Sequence, residues 1–163
     1  MKTSIYNESR LYAGVLSVGI FISALGFPPA AFAALGGSVE SVQNDQARLA
    51  AKLKTTPANA YTVYELTEPF GTIVREYVSV SGQVFAVTWR GPFVPDMKQL
   101  LGGYFEQYSL AAKGQTASRS RGLPLDIREP HLVVQAAGHM RAYSGRAYDP
   151  ALLPLGVGAH DVQ

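Results

Sequence analysis

Three runs decide the fold: AYTVYELT at 60–67, TIVREYVSV at 72–80 and QVFAVTWR at 83–90. Each is rich in β-branched and aromatic residues, which suit a pleated, half-buried surface. Glu68-Pro69-Phe70-Gly71 and Ser81-Gly82 separate them with turn chemistry. Connections this short dictate antiparallel pairing, because a parallel pair needs a crossover of about a dozen residues or more. In the third run Phe85, Val87 and Trp89 alternate with Val84 and Ala86, so both faces are apolar. That pattern belongs to a central strand, or to one covered on its second side.

Upstream, Ser38 is placed to cap a helix over 38–54, whose apolar positions Val39, Val42, Leu49, Ala50 and Leu53 recur at helical spacing, interrupted by Gln46. Thr55-Thr56-Pro57 ends it, since the residue before a proline disfavours the helical region. Downstream, Gly91-Pro92 closes the third strand, and Asp96 with Gln99 forms a capping box for a second helix. Met97, Leu100, Leu101, Tyr104, Phe105 and Tyr108 make one face of that helix, a core stripe. Gly102-Gly103 inside it means either close approach to the sheet or a kink beside a groove. From Lys113 to Pro130 the pattern dissolves into Gly, Ser, Thr, Arg and Pro, which predicts a mobile loop near 113–130. Strand chemistry returns at Leu132-Val133-Val134 and from Met140 to Tyr148. The expectation is a single α+β domain over 34–163: an antiparallel sheet of about five strands packed by two helices.

Residues 1–33 read differently. Lys2 and Arg10 precede an apolar run from Leu11 to Phe27, and Ala31-Phe32-Ala33 offers small residues at both positions, Ala31 and Ala33, that a signal peptidase reads. The run has 17 residues, short of the roughly 20 of a transmembrane helix, and Pro28-Pro29 closes it. A cleavable signal peptide is expected, with the remainder periplasmic or secreted and membrane contact only transient.

The chain has no cysteine, which excludes a cysteine nucleophile, a thiolate zinc site and a lipidated N-terminal cysteine. The chain has 14 basic and 12 acidic residues, and without Lys2, Arg10 and Glu8 these become 12 and 11, so no bulk attraction to nucleic acid is expected. No cofactor motif is present, and no HExxH, GxSxG or paired-carboxylate signature.

Arg-Ala-Tyr occurs twice in the last strand. On a regular strand Arg141 and Tyr143 face opposite to Arg146 and Tyr148, but a bulge at Ser144-Gly145 would bring all four to one surface suited to a planar or anionic ligand. An ordinary half-exposed hairpin strand is the alternative. His131 and His139 approach each other only if the chain turns near Gly138, with Asp126 or Glu129 then completing a metal or hydrolytic site. An accessible sheet edge, at Thr62 and Tyr64, would instead accept a strand from a partner.

The order of Ala34-Leu35-Gly36, Tyr64-Glu65, Gly71-Thr72, Glu76-Tyr77-Val78, Gly82-Gln83-Val84-Phe85 and Trp89-Arg90-Gly91-Pro92 resembles an uncharacterised family of exported proteobacterial proteins, the domain of unknown function DUF2844. Pro95-Asp96, Leu100-Leu101-Gly102, Tyr104-Phe105, His139-Met140-Arg141-Ala142 and Leu152-Leu153-Pro154 continue the likeness over nearly all of 34–163. The resemblance implies export and one domain, and no activity or functional residues. More locally, the helix followed by Tyr61-Thr62-Val63-Tyr64-Glu65 and Val78-Ser79-Val80-Ser81-Gly82-Gln83-Val84 is similar to exported PepSY-type modules, associated with restraining or chaperoning secreted peptidases. The functional expectation is therefore a non-enzymatic binding module acting on another exported or envelope protein. Binding of an envelope polysaccharide through Arg141, Tyr143, Arg146 and Tyr148 is one alternative, and an enzyme using His131 and His139 the other.

Overall fold

The computed structural model describes residues 35–118 and 123–163. Seven strands form one antiparallel sheet: β1 (Lys52–Pro57), β2 (Tyr61–Thr67), β3 (Ile73–Ser79), β4 (Val84–Gly91), β5 (Leu125–Glu129), β6 (Leu132–His139) and β7 (Ala142–Tyr148). Their order is β1-β2-β3-β4-β7-β6-β5. Two meanders thus meet at a seam where β4 pairs with β7, from Ala86 opposite Tyr148 to Gly91 opposite Tyr143. The α+β class, the single domain and the antiparallel pairing agree with expectation. The count of about five strands is corrected to seven.

Both additional strands lie where the local pattern pointed elsewhere. Helix α1 runs Val39–Arg48, not to residue 54. It stops because Ala50 adopts φ +46°, while its N–H reaches the Ala47 carbonyl and that of Ala51 reaches Gln46. That is a Schellman turn with alanine in the place usually held by glycine, which is why no stop signal was visible. Leu53 then faces the helices from β1. In the segment expected to be a mobile loop, a helix reaches Ser118 and β5 pairs with β6 in full register over Leu125–Glu129.

The second predicted helix is broken. α2 (Met97–Leu101) and α3 (Phe105–Ser118) are joined by a 3-10 turn at Gly102–Tyr104, with Gly102 at φ +49°. A kink rather than close packing explains the glycine pair, since Gly103 has open space where a Cβ would stand. Asp96 caps α2 as expected, accepting from the N–H groups of Lys98 at 2.9 Å and Gln99 at 3.3 Å. The Gln99 side chain does not return to close the box; its amide donates to Asp45 on α1 at 2.7 Å. Asp96→Ala is expected to cost about 1 kcal/mol, read as a lower urea midpoint with unchanged slope.

The helices cover one face of the sheet. Val42, Leu66, Val74, Val87, Trp89, Leu101, Ile127, Leu132, Val134 and Ala147 make that core. On the other face, Tyr77, Phe85, Ala86 and Val162 are buried with Tyr61, Tyr148 and Leu153 around them. The C-terminal segment 150–163 lies over this half of the outer face, so β4 is covered on both sides. Its alternation is not regular, however. Tyr77 stands opposite Ala86 and Val78 opposite Val84, leaving Phe85 as an extra residue. This bulge sends Phe85 to the outer cluster while Val84, Val87 and Trp89 face the helices, correcting the expected grouping of Phe85 with Val87 and Trp89. Gly145 on β7 lies directly opposite Trp89.

Candidate functional site

The C-terminal segment leaves part of the outer face open as a cavity of about 760 Å³, extending from β3 to β5. Its floor follows from strand register. Lys54, Glu65, Arg75, Thr88, Arg146, Gln135 and Asp126 stand successively opposite one another, one from each strand in spatial order. Cross-strand neighbours on one face interact, so residues remote in sequence form a polar ladder across the whole sheet.

Most of the ladder is internally satisfied. The Arg75 Nε donates to Glu65 at 2.8 Å, and a terminal nitrogen reaches the Gln163 carbonyl at 3.2 Å. Arg146 donates from Nε and its second terminal nitrogen to Gln135 Oε1, at 2.8 and 2.6 Å. Its remaining nitrogen reaches the Ala159 and Val162 carbonyls. Arg146 therefore fastens the C-terminal segment to the sheet. Tyr77 and Thr88 also donate to the Gln163 carbonyl. Asp126 accepts from Arg128 and from Gln135, and the Arg128 guanidinium holds its carboxyl below the usual range.

Arg90 differs. It lies one step beyond the ladder on the same outer face, between Ile73 of β3 and Ser144 of β7. It is exposed, lines the cavity and has no anionic partner among the described residues. The site therefore offers one available guanidinium flanked by Arg75 and Arg146, with Thr88, Gln135 and Ser144 as hydrogen-bonding floor.

The four residues of the Arg-Ala-Tyr repeats do not share this surface. β7 pairs without a register shift on both sides, so the bulge at Ser144-Gly145 is absent. Arg141 sits in the two-residue turn between β6 and β7 at φ +64°. Tyr143 lines a second cavity of about 290 Å³ with Trp89, Met97 and Tyr108, on the helix side. Arg146 and Tyr148 are on the outer face, Tyr148 against the buried Tyr77–Phe85 cluster. His131 and His139 stand at opposite ends of β6, about 25 Å apart at the usual rise per residue. Gly138 continues the strand opposite Tyr143, so no turn brings them together. His131 instead approaches Asp149, Nδ1 to Oδ1 3.7 Å, and Asp149 also accepts from Tyr104 at 2.6 Å. Burial and that carboxylate push the Tyr104 hydroxyl up to about 12. Among the described residues no group of three or more His, Asp or Glu side chains is arranged to hold a metal ion. Thr62 and Tyr64 are not at an edge, because β1 pairs along them. Ala31 and Ala33 lie outside the described residues.

Arg75, Arg90 and Gln135 were not singled out from sequence, since only the pairing register aligns them. The nearest signal was the alternation that places Arg75 opposite in face to Val74.

An antiparallel α+β domain with a polar groove on its outer face is the class that the geometry defines. Residues 31–162 match the family described as "Protein of unknown function (DUF2844)", and the chain belongs to that family. No curated protein matches it, and no solved structure does.

Proposed function

We propose that the protein is an exported, non-catalytic binding module whose outer groove takes an acidic segment of another envelope or secreted protein. The observation that carries this reading is Arg90, a cation without an anionic partner among the described residues, in a cavity already rich in guanidinium groups. Such a site suits a carboxylate through paired, charge-assisted hydrogen bonds. Export is supported by the apolar run Leu11 to Phe27 followed by Ala31 and Ala33.

Addition of a partner strand is less favoured by the edges themselves. β1 carries Lys52, Lys54 and Pro57, and β5 carries Asp126, Arg128 and Glu129. Charge and proline are the usual means by which an edge is kept from pairing. Polysaccharide binding through the Arg/Tyr strand lacks support from a stacking platform, with Tyr143 on the helix side and Tyr148 packed beneath the C-terminal segment.

A photo-crosslinking residue placed at Ser144 in living cells tests the reading, with Thr55 on the β1 edge as comparison. A discrete protein adduct from Ser144, lost on Arg90→Glu, is the expected result. An adduct from Thr55 alone would establish strand addition instead. A glycan-sensitive smear would establish polymer binding, and no adduct from either site would overturn the module reading.

A further inference from the structure

A second surface lies at the end of the sheet where β2 joins β3 and β6 joins β7. Among the described residues, eight large apolar side chains are exposed, and five of them, Phe70, Phe93, Val94, Leu123 and Met140, cluster there. Phe70 is 76 % and Met140 84 % exposed. Their grouping follows from register: Ile73 faces Arg90, Gly91 faces Tyr143, and His139 faces Ala142, so all the intervening loops leave the sheet at one end. Val94 and Leu123 both border the cavity that Tyr143 lines.

These loops are built rather than loose. The Glu68 N–H donates to the Thr72 carbonyl and that of Gly71 to Glu68, which fixes the turn bearing Phe70. The Thr72 hydroxyl donates to the Phe93 carbonyl at 3.2 Å, tying the two aromatic loops together. The rings of Phe70 and Phe93 meet edge to face, 6.3 Å apart. Gly91 lets the loops approach so closely, since a Cβ there would lie 2.5 Å from the Thr72 Cα. Ordered turns that hold apolar side chains in water mark an interaction site.

Charge indicates the kind of partner. Arg141 stands at the tip of the β6–β7 turn beside Met140 and His139, with no anionic partner among the described residues. The acidic groups on the same side are Glu68, partly buried, and Asp96, whose oxygen is occupied in capping α2. Phe70, Phe93 and Met140 project from separate loops and line none of the cavities described above, a shape that suits a soft interface better than a folded protein. We propose that this end of the sheet docks peripherally on an anionic lipid surface, Phe70, Phe93 and Met140 entering between headgroups while Arg141 meets their phosphates. No helix among the described residues is long and apolar enough to cross a membrane.

The test is cosedimentation of the protein recovered after export, with intact mass reporting whether residues 1–33 remain. Vesicles containing phosphatidylglycerol are compared with vesicles of phosphatidylcholine alone. The expected result is binding to the anionic vesicles, weakened at least about tenfold by Phe70→Ser with Phe93→Ser and also weakened by Arg141→Glu. Val80→Ser and Leu110→Ser remove exposed apolar groups elsewhere and should leave binding unchanged. Absence of binding, equal loss with the control variants, or equal binding to both vesicle types would overturn the proposal. Self-association abolished by the Phe70 and Phe93 changes, with no vesicle binding, would assign the patch to a second copy of the chain.

Discussion

Gly145→Ala is expected to destabilise the protein by about 3 kcal/mol, lowering the melting temperature by about ten degrees. A Cβ at this position would lie 2.2 Å from Cζ2 of Trp89 and 2.9 Å from the Gln135 carbonyl oxygen. Neither neighbour can yield cheaply. The indole is 3 % exposed and packed among the helix-face core, and the carbonyl belongs to the adjacent strand. The substitution therefore pushes either the ring into α2 and α3 or β7 away from the seam. Because Trp89 is the single tryptophan of the chain, its emission reports the displacement directly. Trp89→Phe removes the clashing ring edge, so the double variant should recover part of the loss; the non-additivity measures the contact. A Gly145→Ala protein as stable as wild type, with unshifted fluorescence, would refute the packing described for the seam.

Stability should also fall as pH rises from about 5 to 8, opposite to a protein held by paired carboxylates. Glu76 of β3 is buried to 1 % exposure beneath α1, and its carboxyl meets that of Asp45 with no basic partner beside it. Burial first, and the nearby Asp45 carboxylate second, push its carboxyl up to about 8. Asp45 is itself raised by burial to about 6, against the opposing hydrogen bonds from Gln99 and Glu76 and the charge of Arg48. An unfolded glutamate titrates near 4.5, so between that pH and 8 the folded chain holds more protons than the unfolded one, and each pH unit lowers stability. The full shift corresponds to a decline of up to about 5 kcal/mol. Glu76→Gln preserves shape and removes the charge, so its urea midpoint should fall far less than that of wild type over this range, with the slope that remains below about pH 6 belonging to Asp45, and should exceed wild type at pH 8. A flat profile for the wild type would show that Glu76 is ionised at neutral pH despite its burial.

Strands β2, β3 and β4 and the core stripe of the second helix were legible because hydrophobic period and turn residues agree there. The edge strands were not. β1 reads Lys-Leu-Lys-Thr-Thr-Pro and β5 Leu-Asp-Ile-Arg-Glu, each with one or two apolar side chains turned to the core, because an edge strand has little apolar face to display. Ala50 hid the end of α1 by adopting a backbone that glycine usually signals. Glu76 was visible in principle: alternation puts it on the same face as Val74 and Val78, a charged residue at a core position. The groove could not be read at all, since Arg75, Thr88, Arg146, Gln135 and Asp126 converge only once five strands are in register.

The seam between β4 and β7 also has a consequence in time. A chain made from its N-terminus completes the β1–β4 meander while β7, which must cover the second edge of β4, is still to be synthesised beyond α2, α3, β5 and β6. During that interval the most deeply buried strand of the final sheet presents an open row of N–H and C=O groups beside Val84, Val87 and Trp89, a template for pairing with other nascent chains. The strand order thereby leaves the half-made chain with an open pairing edge at its core, and makes arrival of its last strand the event that closes it.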